Sequence, residues 1–299
     1  MNKSKIKLLY ICFIAGLFVS GQVGAQVPYD RIVNATEEPE NWLTYNGDYM
    51  SQRYSRLDQI TPDNVTNLEL KWILQNQVFG AWQSNPIIVD GVMYVTERPN
   101  SVMAVDAITG RVFWKFRHTP SENARVCCGA NNRGVAVLDD RVFMGTLDAR
   151  LIALDRINGQ PLWNTEVADV NLAYSVTMAP LVVKDKIIVG VGGGEYGIRG
   201  YVAAFDAETG EQAWKTYTIP GPGELGHDSW EGDDWEHGGA SVWITGSFDP
   251  ELNLTYWGVG NPGPDWNAGQ RPGDNLFSDS VIALDADTGE LEWYFQFTP

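Results

Sequence analysis

Four stretches decide the fold: Val102-Met-Ala-Val-Asp-Ala-Ile-Thr-Gly-Arg-Val-Phe-Trp114, Leu151-Ile-Ala-Leu-Asp-Arg-Ile-Asn-Gly-Gln-Pro-Leu-Trp163, Val202-Ala-Ala-Phe-Asp-Ala-Glu-Thr-Gly-Glu-Gln-Ala-Trp214 and Val281-Ile-Ala-Leu-Asp-Ala-Asp-Thr-Gly-Glu-Leu-Glu-Trp293. In each, an apolar run ends at Asp, Gly follows four residues later, and Trp follows four after that. The Asp side chain can accept from backbone N–H groups of the turn, and Gly supplies a positive φ, so each stretch reads as a β-hairpin. Asp106, Asp155, Asp206 and Asp285 are spaced by 49, 51 and 79 residues. A period near 50 with several short strands per unit predicts β-propeller blades, with the recurring Trp docking one blade on the next. The long interval predicts an insertion of about 28 residues between Trp214 and Val281. Apolar runs at 85–95 and 179–189 supply further strands. An open β-solenoid or a β-sandwich is the competing architecture for such a pattern. The expected class is all-β, a β-propeller of about four blades in an incomplete ring. The chain stops at Thr298-Pro299, straight after a blade strand, so it reads as an N-terminal fragment of something longer or a partial gene product.

The 299 residues carry 21 Lys+Arg against 38 Asp+Glu, a formal charge of −17. So acidic a chain would be repelled by phosphate backbones, which argues against a nucleic-acid partner. Hydrophobic residues at 44% exclude a disordered tail. Lys3, Lys5 and Lys7, the apolar run Leu8 to Val19 and the small residues Val23-Gly24-Ala25 read as a signal peptide over residues 1–25, cleaved after Ala25. The run is shorter than the roughly 20 residues of a bilayer span, so no transmembrane anchor is expected once it is removed. Cleavage leaves a charge of −20, with Cys127 and Cys128 as the remaining cysteines.

Those two cysteines are adjacent, in an exported and oxidising setting. They could be buried thiols behaving as small hydrophobes, or bond to each other or to another molecule. Neighbouring Cα atoms lie ~3.8 Å apart, below the usual disulfide range, so a mutual bond would be strained. Gly192-Gly-Gly-Glu195-Tyr-Gly197 places one carboxylate in a glycine-rich turn. Gly258-Val-Gly-Asn261-Pro-Gly-Pro-Asp265-Trp-Asn267 offers carbonyls, amides and a carboxylate, which suit a hard cation such as Ca²⁺. No Cys/His spacing suits zinc. Trp230-Glu-Gly-Asp-Asp-Trp235-Glu-His-Gly-Gly239, in the long insertion, reads as a loop over one propeller face.

Together these pieces resemble the PQQ-dependent (quinoprotein) alcohol dehydrogenase family. The resemblance runs from about residue 38 to 299. It rests on Asn41-Trp-Leu-Thr-Tyr-Asn-Gly-Asp-Tyr-Met-Ser-Gln-Arg-Tyr-Ser55, on Leu57-Asp-Gln-Ile-Thr-Pro-Asp-Asn-Val-Thr-Asn-Leu-Glu-Leu-Lys-Trp72 and on the adjacent cysteines. Gly193-Gly-Glu-Tyr-Gly-Ile-Arg-Gly200, Gly260-Asn-Pro-Gly-Pro264 and Arg271-Pro-Gly-Asp-Asn275 complete it. The resemblance implies an eight-bladed propeller about twice this length, of which residues 26–299 are the N-terminal part. It also implies a periplasmic enzyme that oxidises a primary alcohol to an aldehyde by hydride transfer to the quinone, and passes electrons to a cytochrome c. The acidic surface suits a basic cytochrome, although acidity serves solubility as well.

Residue by residue, Cys127 and Cys128 match the family's vicinal disulfide on one face of the PQQ ring, and Trp243 matches the indole on the other. Arg133 matches an Arg that binds a PQQ carboxylate. Thr146, Thr177, Ser241 and the backbone at Gly193 and Gly194 match further polar contacts. Glu195 and Asn261 match protein ligands of the metal, Ca²⁺ or a lanthanide. Gln83 departs from the pattern, since several members have a cofactor-contacting Glu there. The family's catalytic Asp, and a second Asp that separates lanthanide from calcium members, would lie beyond Pro299; no residue of this chain is expected to be the base, and the fragment alone is expected to be inactive. Membrane-bound quinoprotein glucose dehydrogenases carry N-terminal transmembrane helices that this sequence lacks. The alternative function is a non-enzymatic envelope β-propeller scaffold similar to outer-membrane assembly factors, which would have no use for the Cys pair, Glu195, Asn261 and Trp243 together.

Overall fold

The computed structural model describes residues 26–80 and 82–299; the expected signal peptide at 1–25 lies outside the described residues. Four four-stranded antiparallel sheets form, each a meander in chain order. The first holds β1 (Ile87–Val89), β2 (Val92–Glu97), β3 (Ser101–Asp106) and β4 (Val112–Arg117). The second holds β5 (Ala136–Leu138), β6 (Arg141–Gly145), β7 (Arg150–Asp155) and β8 (Pro161–Glu166). The third holds β9 (Leu181–Val183), β10 (Lys186–Gly190), β11 (Tyr201–Asp206) and β12 (Gln212–Tyr217). The fourth holds β13 (Ser247–Asp249), β14 (Leu254–Val259), β15 (Ser280–Asp285) and β16 (Leu291–Gln296). These are four propeller blades. The short strands β5 and β9 are buried throughout and touch each other, whereas β4 and β8 alternate between exposed and partly buried residues.

Each quoted Asp does what its spacing predicts. Asp106 Oδ1 accepts from the N–H groups of Ile108 and Thr109 at 2.9 and 3.1 Å, and Asp155 Oδ1 from Ile157 and Asn158 at 2.8 and 3.0 Å. Asp206 and Asp285 repeat the pair of bonds. Gly110, Gly159, Gly210 and Gly289 sit at φ +74, +72, +75 and +75, a region that costs other residues strain. The strand pairing shifts register once per hairpin, directly after Ala104, Ala153, Ala204 and Ala283, and each of these alanines stands opposite the hairpin's Trp.

Those tryptophans join the blades. The indole N–H of Trp114 donates to Arg156 O at 3.0 Å, that of Trp163 to Ala207 O at 3.2 Å and that of Trp214 to Ala286 O at 3.2 Å. Each acceptor follows the turn Asp of the next blade. A Cβ on Gly159, Gly210 or Gly289 would lie within 2.8 Å of the ring seated on it, so only glycine leaves room. Trp72 plays the same part for the first blade, with its N–H on Ala107 O at 3.1 Å and its ring over Gly110.

The segment from Val27 to Tyr49 crosses all four blades. Val27 pairs with Asp139, Trp42 with Ile88, and the Tyr49 hydroxyl donates to Val182 O at 2.7 Å while its ring meets Phe248 edge-on at 5.2 Å. No helix among the described residues is long and apolar enough to cross a membrane.

Trp214 is the most buried of the interblade indoles named here, at 7% exposure. Trp214→Ala is expected to cost about 3–5 kcal/mol in denaturant unfolding, the range for large aromatic truncations. Leu252→Ala, at 62% exposure, is expected to change stability by less than about 0.5 kcal/mol.

Candidate active site

In an antiparallel meander, successive connections lie at opposite ends of the sheet. The Asp–Gly hairpins between third and fourth strands therefore occupy one end. The links between second and third strands, and those from one blade to the next, occupy the other. Every candidate residue of the sequence reading lies in a link of this second kind or just before β1, so the topology gathers them at one end of the blades.

A cavity of about 310 Å³ opens there. Gln83, Cys127, Cys128, Arg133, Thr177, Gly193, Glu195, Ser241, Trp243 and Asn261 all line it. Cys127 and Cys128 are bonded to each other across a Cα–Cα distance of 3.8 Å, which settles the alternatives left open for these thiols. Cys128 takes a φ of +63 and Gly129 one of +96, which turn the chain sharply at the pair. Asn131 closes this turn by donating to Cys128 O at 2.9 Å, and Asn132 anchors its exit by donating to Gly145 O at 2.8 Å. The entrance of the same loop is tied to Asp148, which accepts from the Ser121 N–H at 3.1 Å and pairs with His118 at 2.9 Å.

The Gly193–Asn261 side is built by close backbone approach. Gly193 has a φ of +118, and a Cβ there would stand 2.4 Å from Ala173 O. Ala240 N–H donates to Asn261 O at 3.0 Å, Gly260 N–H to Ser241 O at 2.8 Å, and Gly263 N–H to Gly238 O at 2.8 Å. These bonds bring the β12–β13 link, which carries Ser241 and Trp243, against the β14–β15 link, which carries Asn261.

Two expected residues sit elsewhere. Thr146 is fully buried, and its hydroxyl accepts from Arg150 N–H at 3.0 Å and bonds Asp148, so it braces the cysteine loop from behind rather than lining the cavity. Gly194 is also outside the lining; a Cβ there would lie 3.1 Å from Ser241 Oγ, so its smallness lets Ser241 approach. The cavity adds residues that the sequence reading passed over, chiefly Asn131 and Ser175. Ser175 stands two residues before Thr177 and Asn131 two before Arg133, and an alternation of polar residues in these loops was the available signal.

Charge divides the cavity. Arg133 donates to Thr177 Oγ1 at 2.8 Å and its guanidinium stacks 4.9 Å from the Trp243 ring centre. Burial pulls its pKa below the ordinary value, and no carboxylate among the described residues forms an ion pair with it. Glu195 brings an exposed carboxylate within 4.8 Å of the disulfide sulfurs, and Asn261 adds an amide. The buried Oδ1 of Asn131 has no hydrogen-bond partner. A half-buried cation without a counter-ion needs an anion. An open carboxylate and amide suit a hard cation, and an exposed indole and disulfide suit a flat ring. The donor set therefore fits PQQ with a hard metal ion.

The family profile for "PQQ: Glucose/ethanol/alcohol dehydrogenase, beta-propeller domain" matches residues 42–299. The chain belongs to this PQQ-dependent dehydrogenase family. Quinohemoprotein alcohol dehydrogenase ADH-IIG of Pseudomonas putida is 41% identical over 98% of this chain and 44% of its own length. Quinoprotein alcohol dehydrogenase PedH, from a Pseudomonas putida strain, is 39% identical over 96% of this chain and 51% of its own. Among solved structures, a europium-containing methanol dehydrogenase superposes with a TM-score of 0.85 at 38% identity, over 90% of this chain and 51% of that one. The chain thus spans about half the length of the quinoproteins it matches.

Asp148 makes folding stability depend on pH. Burial raises its pKa, but the bonds from His118, Thr146 and the Ser121 N–H outweigh burial and bring it down from 3.8 to about 2. A depressed carboxylate contributes stability that is complete above the unfolded value and is lost as pH falls through the folded one. Unfolding free energy is expected to fall by on the order of 2 kcal/mol from this group between about pH 4 and pH 2. Asp148→Asn is expected to flatten that limb of the stability–pH curve, measured by denaturant titration.

Proposed function

We propose that these residues are the N-terminal, cofactor-holding part of a periplasmic quinoprotein alcohol dehydrogenase that oxidises a primary alcohol to an aldehyde. PQQ is the proposed hydride acceptor, and a cytochrome c receives the electrons. Export through the signal peptide at 1–25 goes with this reading. The observation that carries it is the convergence of Cys127–Cys128, Trp243, unpaired Arg133, Glu195 and Asn261 on one cavity. A propeller serving only as a scaffold has no need of that set.

When bound, PQQ and its cation supply a hydride-accepting carbonyl polarised by a Lewis acid. The chain's own part is binding and orientation. The disulfide and the Trp243 indole offer flat apolar surfaces for a ring, and Arg133 holds a carboxylate by charge-assisted hydrogen bonds. Ser175, Thr177 and Ser241 contribute hydroxyls, with Thr177 also fixing the guanidinium. Glu195 and the Asn261 oxygen hold the cation, which is Ca²⁺ or a lanthanide. Gln83, in the cavity lining, can hydrogen-bond and adds no charge. No residue among those described is assigned as the base that takes the alcohol proton.

Metal-loaded protein is expected to bind PQQ with quenching of Trp fluorescence. Absence of PQQ binding would overturn the reading. Arg133→Gln is expected to weaken PQQ binding by roughly tenfold to a hundredfold, the worth of a hydrogen bond to a charged group. Titration of the variant by fluorescence checks it.

A further inference from the structure

The backbone of Asn261 is pinned, but its side chain is exposed and packing alone leaves it free to turn. An amide binds a hard cation through its oxygen, so its nitrogen must face away from the ion. In this structure the nitrogen has two acceptors. Nδ2 donates to Pro262 O at 3.2 Å and to Asp265 Oδ1 at 2.8 Å. The Pro262 carbonyl belongs to the adjacent residue and is offered whatever side chain follows. Asp265 is the side chain that takes the nitrogen, at the shorter distance.

The loop between them is built to present it. Pro262 and Pro264 restrict φ on either side of Gly263, whose N–H is bonded to Gly238 O at 2.8 Å. A Cβ on Gly263 would lie 3.3 Å from Gly194 O, so the loop packs against the turn that carries Glu195. The two candidate cation ligands are thus brought together by backbone, and the last free variable is which end of the Asn261 amide faces the cavity.

We propose that Asp265 is a positioning residue of the cation site, holding the Asn261 nitrogen so that the amide oxygen faces the cavity. The proposal rests on the assignment of Asn261 as a cation ligand. Outer partners that orient a metal ligand are typically worth about 10–100-fold in metal affinity.

The test is calorimetric titration of the PQQ-containing protein with Ca²⁺ and with La³⁺, alongside thermal unfolding of the metal-free protein. Asn261→Ala and Asp265→Ala are each expected to weaken cation binding by about 10–100-fold. Asp265→Asn keeps an oxygen acceptor at the same place and is expected to bind within about threefold of the unsubstituted protein, because only the charge is lost. Metal-free unfolding is expected to be unchanged in all three. Normal binding by Asp265→Ala beside weakened Asn261→Ala would overturn the positioning role and leave the ligand assignment standing. Normal binding by Asn261→Ala would overturn the assignment and the proposal with it. If Asp265→Asn is as weak as Asp265→Ala, Asp265 acts through its charge and positioning is overturned. A lowered unfolding midpoint in metal-free Asp265→Ala would assign a structural role instead, with the same consequence.

Discussion

The structure depends on the seating of one indole on the hairpin turn of the next blade. Within a blade, hydrogen bonds complete the sheet; among the described residues no named strand of one blade pairs with a strand of the next, and at the hairpin end side chains supply both affinity and register. The Trp does both. Its ring covers a glycine that has no Cβ, and its N–H donates to the carbonyl beside the turn Asp. The Asp in turn holds the turn in the shape the ring needs, through two N–H bonds. Asp, Gly and Trp are therefore one device split between two blades. That is why they recur as a set in the sequence.

This arrangement commits one end of the blades to stability and frees the other for chemistry. The docking turns lie where third and fourth strands meet, and the alternation of a meander sends the cavity loops to the opposite end. Loops at the cavity end can lengthen without disturbing blade docking. The β12–β13 and β14–β15 links have done so, and they carry Ser241, Trp243 and Asn261. Their backbones remain fixed by bonds between loops, such as Ala240 to Asn261, so the cavity is preorganised despite lying outside the sheets.

The blades were legible in the sequence because their determinants are local: Asp, Gly and Trp fall within nine residues of one another. The role of Trp72 was less so. It lies outside any of the four quoted hairpins, and only its seat on Gly110 shows it to be an interblade indole. The cavity was read mostly through resemblance, since Cys127, Trp243 and Asn261 come from different blades and no spacing joins them. Thr146 lies outside the cavity lining. Its hydroxyl accepts from Arg150 N–H and bonds Asp148, a placement made by tertiary burial rather than by residue type. Asn131 shows the reverse. A buried amide oxygen without a partner cannot be seen in a sequence, because satisfaction is a property of the neighbours.

Charge explains why the cavity differs from the rest of an acidic molecule. At −17, the chain presents a field that repels anions in general. Arg133 runs against this. It is half-buried, it has no carboxylate partner among the described residues, and burial works against its charge. Its place is kept by Thr177 and by the Trp243 face, neither of which neutralises it. Keeping an unpaired guanidinium there costs stability, and a nearby Asp or Glu would remove that cost while closing the cavity to anions. Glu195 adds the opposite charge to the lining of the same cavity, where it is exposed to solvent. A ligand that brings carboxylates to Arg133 together with a cation for Glu195 answers both at once, which a neutral or singly charged molecule does not.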